Sequence, residues 1–350
     1  MNRRAGDKLS VSARVPKMNS FHVMKKNMPF ILPVFAALAL SLANACASLL
    51  FNATLFPVVV GDRWGFADQS GKLVINPQFE RAEPYASGLA EVRLNKWGYV
   101  NPSGKMVVNP QFDKTSPFSD GLAAVEVGSR WGYVNPEGKY AINPQFDEAG
   151  NFTEGRAAIK LNHRYGFIDK TGKIVINPQF EDAAAFSEEL AAIGSGGRYG
   201  FIDKTGKIVI NPQFEKAGSF SEGLAAIRMG GRWGFADKTG KMAVNPQFED
   251  AHSFVKGLAP ARSGKTWGYI NPAGKFVINP QFEDAADFSE GLAAVRSGGR
   301  WGYIDKGGKI VINPQFDEAM AFAGGLARVK VGHKTGYINP AGKYIWNPAN

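Results

Sequence analysis

The chain has 350 residues, 44% of them hydrophobic and 12% aromatic, and a single cysteine, Cys46, which excludes an intrachain disulfide. Its formal charge of +10 is concentrated near the N-terminus, where seven Lys/Arg stand against Asp7 in residues 1–57 and leave the remainder at a net +4. So small an excess gives no basic stripe for a nucleic-acid partner, and none is expected.

Residues 1–57 read as an N-terminal leader. Lys25-Lys26 precede the uncharged apolar stretch "MPFILPVFAALALSLANACASLL", whose hydrophobic region runs over about residues 29–45 and ends in small residues. A basic head, an apolar middle and an Ala43-Asn44-Ala45 site make a secretory signal peptide, with Met24 as a candidate natural start. The expected location is therefore exported: periplasmic, envelope-associated or secreted. An uncleaved anchor competes, because no charge appears between Asn27 and Gly61. A lipid on Cys46 is a third reading, weakened by Asn44 in a lipobox position. Membrane contact is expected only through such a leader or lipid.

From residue 58 to residue 350 one sentence is written nine times, the last copy stopping at "NPAN". Its leading aromatic is Trp64, Trp97, Trp131, Tyr165, Tyr199, Trp233, Trp267 and Trp301, with Thr335 in the ninth place; every step has the same length except the first, which is one residue shorter. In "YGFIDKTGKIVINPQFEKAGSFSEGLAAIRMGGR" (199–232), "YGFID" reads as a strand and "DKTG" as a type I turn closed by glycine. Other copies write that turn "NPSG", "NPEG" or "NPAG". Proline stands there at the second place, where its ring fixes the φ that the turn already requires. "KIVI" is a β-branched second strand, ended by the proline of "NPQF", which cannot donate to a ladder. A polar bend and an aromatic follow, then "LAAIR" as the third strand. No segment has the length and period of an ordinary helix.

One such unit cannot bury its own apolar face, whereas stacked neighbours can. The expected core columns are the leading Trp/Tyr, the Val/Ile at 75, 108, 142, 176, 210, 244, 278 and 312, the Phe of NPQF, and the aromatics Tyr85, Phe118, Phe152, Phe186, Phe220, Phe254, Phe288 and Phe322. The fold class is all-β: a tandem array of three-stranded antiparallel β-meanders, open and superhelical. A closed, propeller-like ring is the alternative. Nine units exceed the usual four to eight blades, and so short a repeat leaves little chain for a four-stranded blade. Against that, "FPVVVGDRW" (56–64) supplies a strand that is free to complete the last unit or to cap the edge.

The motif WG[YF][IVA][DN]xxGKxxxNPQF resembles the WG-repeat family of bacterial proteins, also called KWG repeats after the Lys/Arg-Trp-Gly step. The resemblance spans nearly everything after the leader. It implies β-rich repeats, often exported, with binding roles and no general enzymatic activity, and it brings no catalytic residue set to carry over. Tyr165, Tyr199 and Thr335 depart from the family's Trp.

The residues themselves point the same way. His22, His163, His252 and His333 fall in the leader or in different columns, so no paired metal ligands or catalytic histidine emerge. "GSGG" (194–197) is an inter-repeat turn rather than a phosphate loop. Carboxylate pairs such as Glu181-Asp182 recur as a ladder, while acid–base catalysis needs two carboxylates in unlike environments, and no non-repeated constellation stands out. No enzyme and no cofactor is expected.

Two basic columns remain. One precedes the aromatic, and the other (Lys72 to Lys343) follows the turn glycine. Either these cations bridge to the acidic column after NPQF and pack on rings, or they line a repeated charged groove flanked by aromatics. In the second case Arg130, Arg164, Arg198 and Arg232 with Trp131, Trp233, Trp267 and Trp301 are the candidate ligand-binding residues. The expected function is an exported, non-enzymatic scaffold for protein or peptide. Binding of a glycan or envelope polymer at the repeated aromatic and basic positions is the alternative.

Overall fold

The computed structural model describes residues 55–347. The features expected in the leader, including Cys46 and the Ala43-Asn44-Ala45 site, lie outside these residues. The described chain forms nine antiparallel sheets, the first of three strands and the other eight of four. The first sheet is β1 (Phe56–Val60), β2 (Arg63–Ala67) and β3 (Leu73–Phe79). The second is β4 (Arg81–Ala82), β5 (Ala90–Leu94), β6 (Lys96–Val100) and β7 (Met106–Phe112), and the third is β8 (Lys114–Thr115), β9 (Ala123–Val127), β10 (Arg130–Val134) and β11 (Tyr140–Phe146).

The expected unit of three strands gains a fourth, and the reason is economical. One residue, Glu80, separates β3 from β4, and its N–H donates to Arg93 O at 2.9 Å. The same run of backbone thus ends one sheet and begins the next. That is how so short a repeat fills a four-stranded sheet. The "LAAIR" strand also pairs with the WG strand that follows it: Arg228 lies opposite Trp233. Each sheet therefore straddles two sequence repeats.

The WG and NPQF steps explain each other. Trp64 pairs with Phe79 but Phe66 pairs with Ile75, so a step of two along β2 matches a step of four along β3. The extra pair includes Asn76-Pro77, and a proline without an N–H is tolerated at such a bulge on an edge strand. The bulge drives β3 against Gly65, where a Cβ would sit 2.4 Å from Ile75 O. Only glycine fits there, and every WG copy from Gly65 to Gly302 meets the same carbonyl column at 2.4–2.5 Å.

The core is divided into inter-sheet layers. Between the third and fourth sheets, Tyr133, Ile142 and Phe146 meet Phe152, Ala157, Ile159 and Ile168. The Val/Ile column, the NPQF Phe and the second aromatic are buried as expected, apart from half-buried Tyr85. The leading Trp is not the central ring: except for Trp267, it is half-buried at the layer's rim. That centre belongs to the aromatic two residues on, as in Tyr133 and Phe201, both 0% exposed.

The open array is not what forms. Nine open units have eight interfaces, but there are nine apolar layers. The ninth joins the first sheet to the last through Phe56, Val58, Ala67, Leu326, Tyr337 and Trp346. The rings of Phe56 and Tyr337 lie 4.4 Å apart, Tyr337 Oη donates to Pro57 O at 2.8 Å, and Gln69 Nε2 donates to Gly324 O at 2.7 Å. The architecture is a nine-bladed, propeller-like ring. Its N-terminal strand β1 pairs with β2 and closes the ring by face packing, not by adding a strand to the last sheet.

Candidate functional site

The candidate arginines stand at the first residue of their strands, one to a sheet, and mostly face a carboxylate that follows NPQF. Arg130 pairs with Asp147 and Arg232 with Glu249, while Arg164 lies 3.6 Å from Glu181. The same carboxylates reach into the next sheet. Asp147 accepts from Asn162 N at 2.9 Å, Glu181 from Gly197 N at 3.0 Å, and Glu249 from Gly264 N at 2.9 Å. The hydrogen bond to Gly197 leads the causes that hold the Glu181 carboxyl below its usual range. Each cluster is an inter-sheet clasp. At Arg198 the matching carboxylate, Glu215, lies 3.8 Å from Arg228 and accepts from Gly231 N.

The candidate rings are likewise distributed one to a sheet. Trp131, Trp233 and Trp301 are half-buried, each packed on the rim of a layer. Trp267 is only 7% exposed, with the His252 ring 5.0 Å away and the Arg262 guanidinium 5.8 Å from its centroid. Lys114 Nζ lies 5.8 Å from the Trp131 ring. The structure does not gather these arginines and tryptophans into one cavity.

A further repeated feature escaped the sequence reading. At "SEG", a two-residue hairpin turn places a non-glycine residue at positive φ: Asp120 at 53°, Glu154 at 52°, Glu188 at 53°, Glu222 at 55° and Glu290 at 51°. Left-handed backbone costs such residues free energy. Here the side chain compensates by capping the corresponding turn of the next sheet. Glu222 accepts from Lys256 N and, at 2.8 Å, from Gly257 N; Glu290 accepts from Gly324 N at 2.7 Å and Gly325 N at 2.9 Å. Lys204 adds bonds to Glu154 and Glu189, at 3.1 and 2.7 Å.

One cluster breaks the repeat. The middle residue of the "LAA" strand is Ala124, Ala158, Ala192, Ala226 or Ala294 in five sheets and Pro260 or Arg328 in two, but Glu91 in the second. Across the interface Ala gives way to Thr115, whose hydroxyl donates to Glu91 Oε1 at 2.5 Å. Glu83 lies directly across the sheet from Glu91, its N–H on Glu91 O at 2.9 Å. With Arg81, Trp97 and Lys114 these side chains line a pocket of about 410 Å³. Glu91 is 8% exposed, and burial, reinforced by the Glu83 charge, pushes its carboxyl up to about 7. The missed signal was present as departures from columns that alanine otherwise dominates. Among the described residues, no group of three or more His, Cys, Asp or Glu is placed to hold a metal.

A family model described as "WG containing repeat" matches residues 64–96, 97–131, 131–163, 165–199, 199–233, 233–267, 267–301 and 301–334. No curated protein matches the chain. Among solved structures, one described as "Crystal structure of the eukaryotic initiation factor" is 11% identical over 84% of this chain and 95% of its own, with a TM-score of 0.61. At that identity the likeness concerns the fold alone. Dihydro-heme d1 dehydrogenase NirN is 13% identical over 77% of each chain, TM-score 0.46, and Hsv2p of Kluyveromyces lactis 12% identical over 55% and 73%, TM-score 0.38.

Proposed function

Since the chain belongs to the WG-containing repeat family, we propose that it is an exported, non-enzymatic scaffold that binds protein or peptide along the edge strands of its sheets. The observation that carries this reading is where apolar side chains remain exposed. Of sixteen exposed large apolar side chains among the described residues, ten, 36–53% exposed and including Val74, Ile174, Ile208, Val209, Val277 and Val311, fall in the two columns before the buried Val/Ile of the strand that ends each sheet. An edge strand with β-branched residues and one unpaired side is a template for a partner's backbone, and apolar area repeated along a surface marks interaction. The proline of NPQF limits such pairing to the first half of the strand.

The test replaces Ile208 and Val209 with lysine, together with Ile174 and Val311. These exposed changes leave the layers intact, and capture of envelope proteins from the native host should fall. Equal capture by this variant overturns the docking reading. For export, N-terminal sequencing of native material should begin near Cys46; a full-length, membrane-retained chain overturns it.

Glycan binding at the repeated aromatic positions is the second reading. It is favoured by the half-exposed rings with a cation beside them, such as Lys160 Nζ 5.0 Å from the Tyr165 centroid.

A further inference from the structure

We propose that the pocket between the second and third sheets binds one residue of a neutral saccharide, a site that occurs once, lies apart from the edge strands, and sets non-repeated polar groups beside one ring of the repeated column, Trp97. Two departures from alanine columns converge on it. Glu91 and Thr115 replace an Ala–Ala contact across one interface, and Glu83 stands beside them in a variable column that elsewhere holds Ser116, Gly150, Ala184, Gly218, His252, Ala286 or Met320. Glu91 and Thr115 depart together, on facing sheets, and are hydrogen-bonded to each other. The space of about 410 Å³ falls within the roughly 300–1,000 Å³ usual for small-ligand sites.

Charge selects the ligand class. Arg81 Nε already donates to Glu83 at 2.7 Å, and Lys114 Nζ lies 2.8 Å from Glu126. An anion would have to displace those carboxylates, and a cation would meet Arg81 and Lys114 at the mouth. A neutral ring carrying several hydroxyls meets neither obstacle. It can donate to Glu83 and Glu91 while accepting from the remaining guanidinium N–H groups and from Lys114. Trp97, half-buried on the wall, offers an apolar face for the C–H side of a pyranose. Glu91 supplies an anchor: its carboxyl, held in place by the Thr115 hydroxyl, keeps acceptor capacity for a sugar hydroxyl.

The edge-strand proposal does not bear on this one, since its lysine variants lie outside the pocket. The test is calorimetric titration of the full chain with glucose, galactose, mannose, N-acetylglucosamine and their disaccharides, with tryptophan fluorescence as a second readout. At least one should bind. Glu91→Ala and Thr115→Ala should each weaken that binding about tenfold, the loss of one hydrogen bond to a charged or buried group, whereas Glu91→Gln should retain most of it. Both alanine variants restore the residue of neighbouring repeats, so folding is preserved, and unchanged circular dichroism verifies this. Silence across the whole panel overturns the proposal. So does binding that Glu91→Ala and Trp97→Leu leave unaltered, or binding confined to charged sugars.

Discussion

Between the fifth and sixth sheets, Ala192 and Ala217 belong to one dry layer with Phe201, Ile210, Phe214 and Phe220. Between the second and third, the same two columns hold Glu91 and Thr115, and a polar pocket opens beside Tyr99, Val108, Phe112 and Phe118. The backbone frame is the same in both places: Glu91 lies opposite Tyr99 as Ala192 lies opposite Phe201. What differs is the side chain set into that frame. The aromatic and β-branched columns hold neighbouring sheets together, so the small column beside them is free to vary. The ring is built from what repeats, and its individuality sits where the repeat lapses.

The sharpest way to break the dry interface is at its centre. Phe201→Ala should cost about 3–5 kcal/mol, the usual range for a buried ring cut to alanine. Tyr199→Ala, at the half-buried rim, should cost clearly less. Both are measurable by denaturant unfolding. Equal losses would mean that rim and centre contribute alike.

At the polar interface the expected effect depends on pH. The Glu91 carboxyl is raised from 4.5 to about 7 by burial, so between those values the folded chain binds more protons than the unfolded one. Stability attributable to this group is therefore lost as pH rises through that window. The difference amounts to roughly 3 kcal/mol on the linkage scale. Glu91→Ala should stabilise the protein at pH 8 by up to about that amount and have much less effect at pH 4.5. Grafting Glu and Thr onto Ala192 and Ala217 should impose the same pH dependence on the other interface. A wild-type stability curve that Glu91→Ala leaves unchanged would remove Glu91 from its role.

These two interfaces also show what the sequence could tell. The Val/Ile and Phe columns were legible because burial recurs from repeat to repeat, so eight copies vote on it. The order of the two aromatics in WG[YF] was not. The leading Trp/Tyr and the ring two residues on share a strand face, and the alternation of side chains along one strand does not say which goes deeper. Ring closure was hidden for another reason. An open array and a ring share eight interfaces, and the ninth rests on residues far apart in the chain, such as Pro57 and Tyr337. Glu91 was readable as a departure from a column, yet its meaning needed Thr115 and Glu83 to be seen beside it.

A smaller effect separates the regular sheets from one another. Glu222 holds two backbone N–H groups of the next sheet's turn, whereas Lys256, at 52° in the same left-handed position, has no carboxylate with which to continue the chain. Glu222→Ala should cost about 1 kcal/mol per lost cap and speed amide exchange at Lys256 and Gly257. Lys256→Glu should slow exchange at the following turn, Glu290-Gly291. Unchanged exchange in both variants would show that the turns hold without side-chain help.

The smallest expected effect belongs to the basic column, which tests whether the clasps are structural or also bind. Arg130, Arg164 and Arg232 each face a carboxylate that in turn caps a turn of the next sheet. Such pairs at a surface contribute little, because water already solvates both ions and salt screens what remains. Changing these three and Arg198 together to glutamine should therefore lower stability only slightly, since the carboxylates keep their backbone donors. If the column also serves a polyanionic partner, the wild-type protein should bind heparin with an affinity that falls steeply with salt, and the fourfold variant should lose both the binding and the slope. The clasp geometry favours the other result: weak binding with a shallow salt dependence, alike in both proteins. Each of the three clasped cations already has its counter-charge within its own ring, and a polyanion would have to compete with a carboxylate fixed in place by the next sheet's N–H groups.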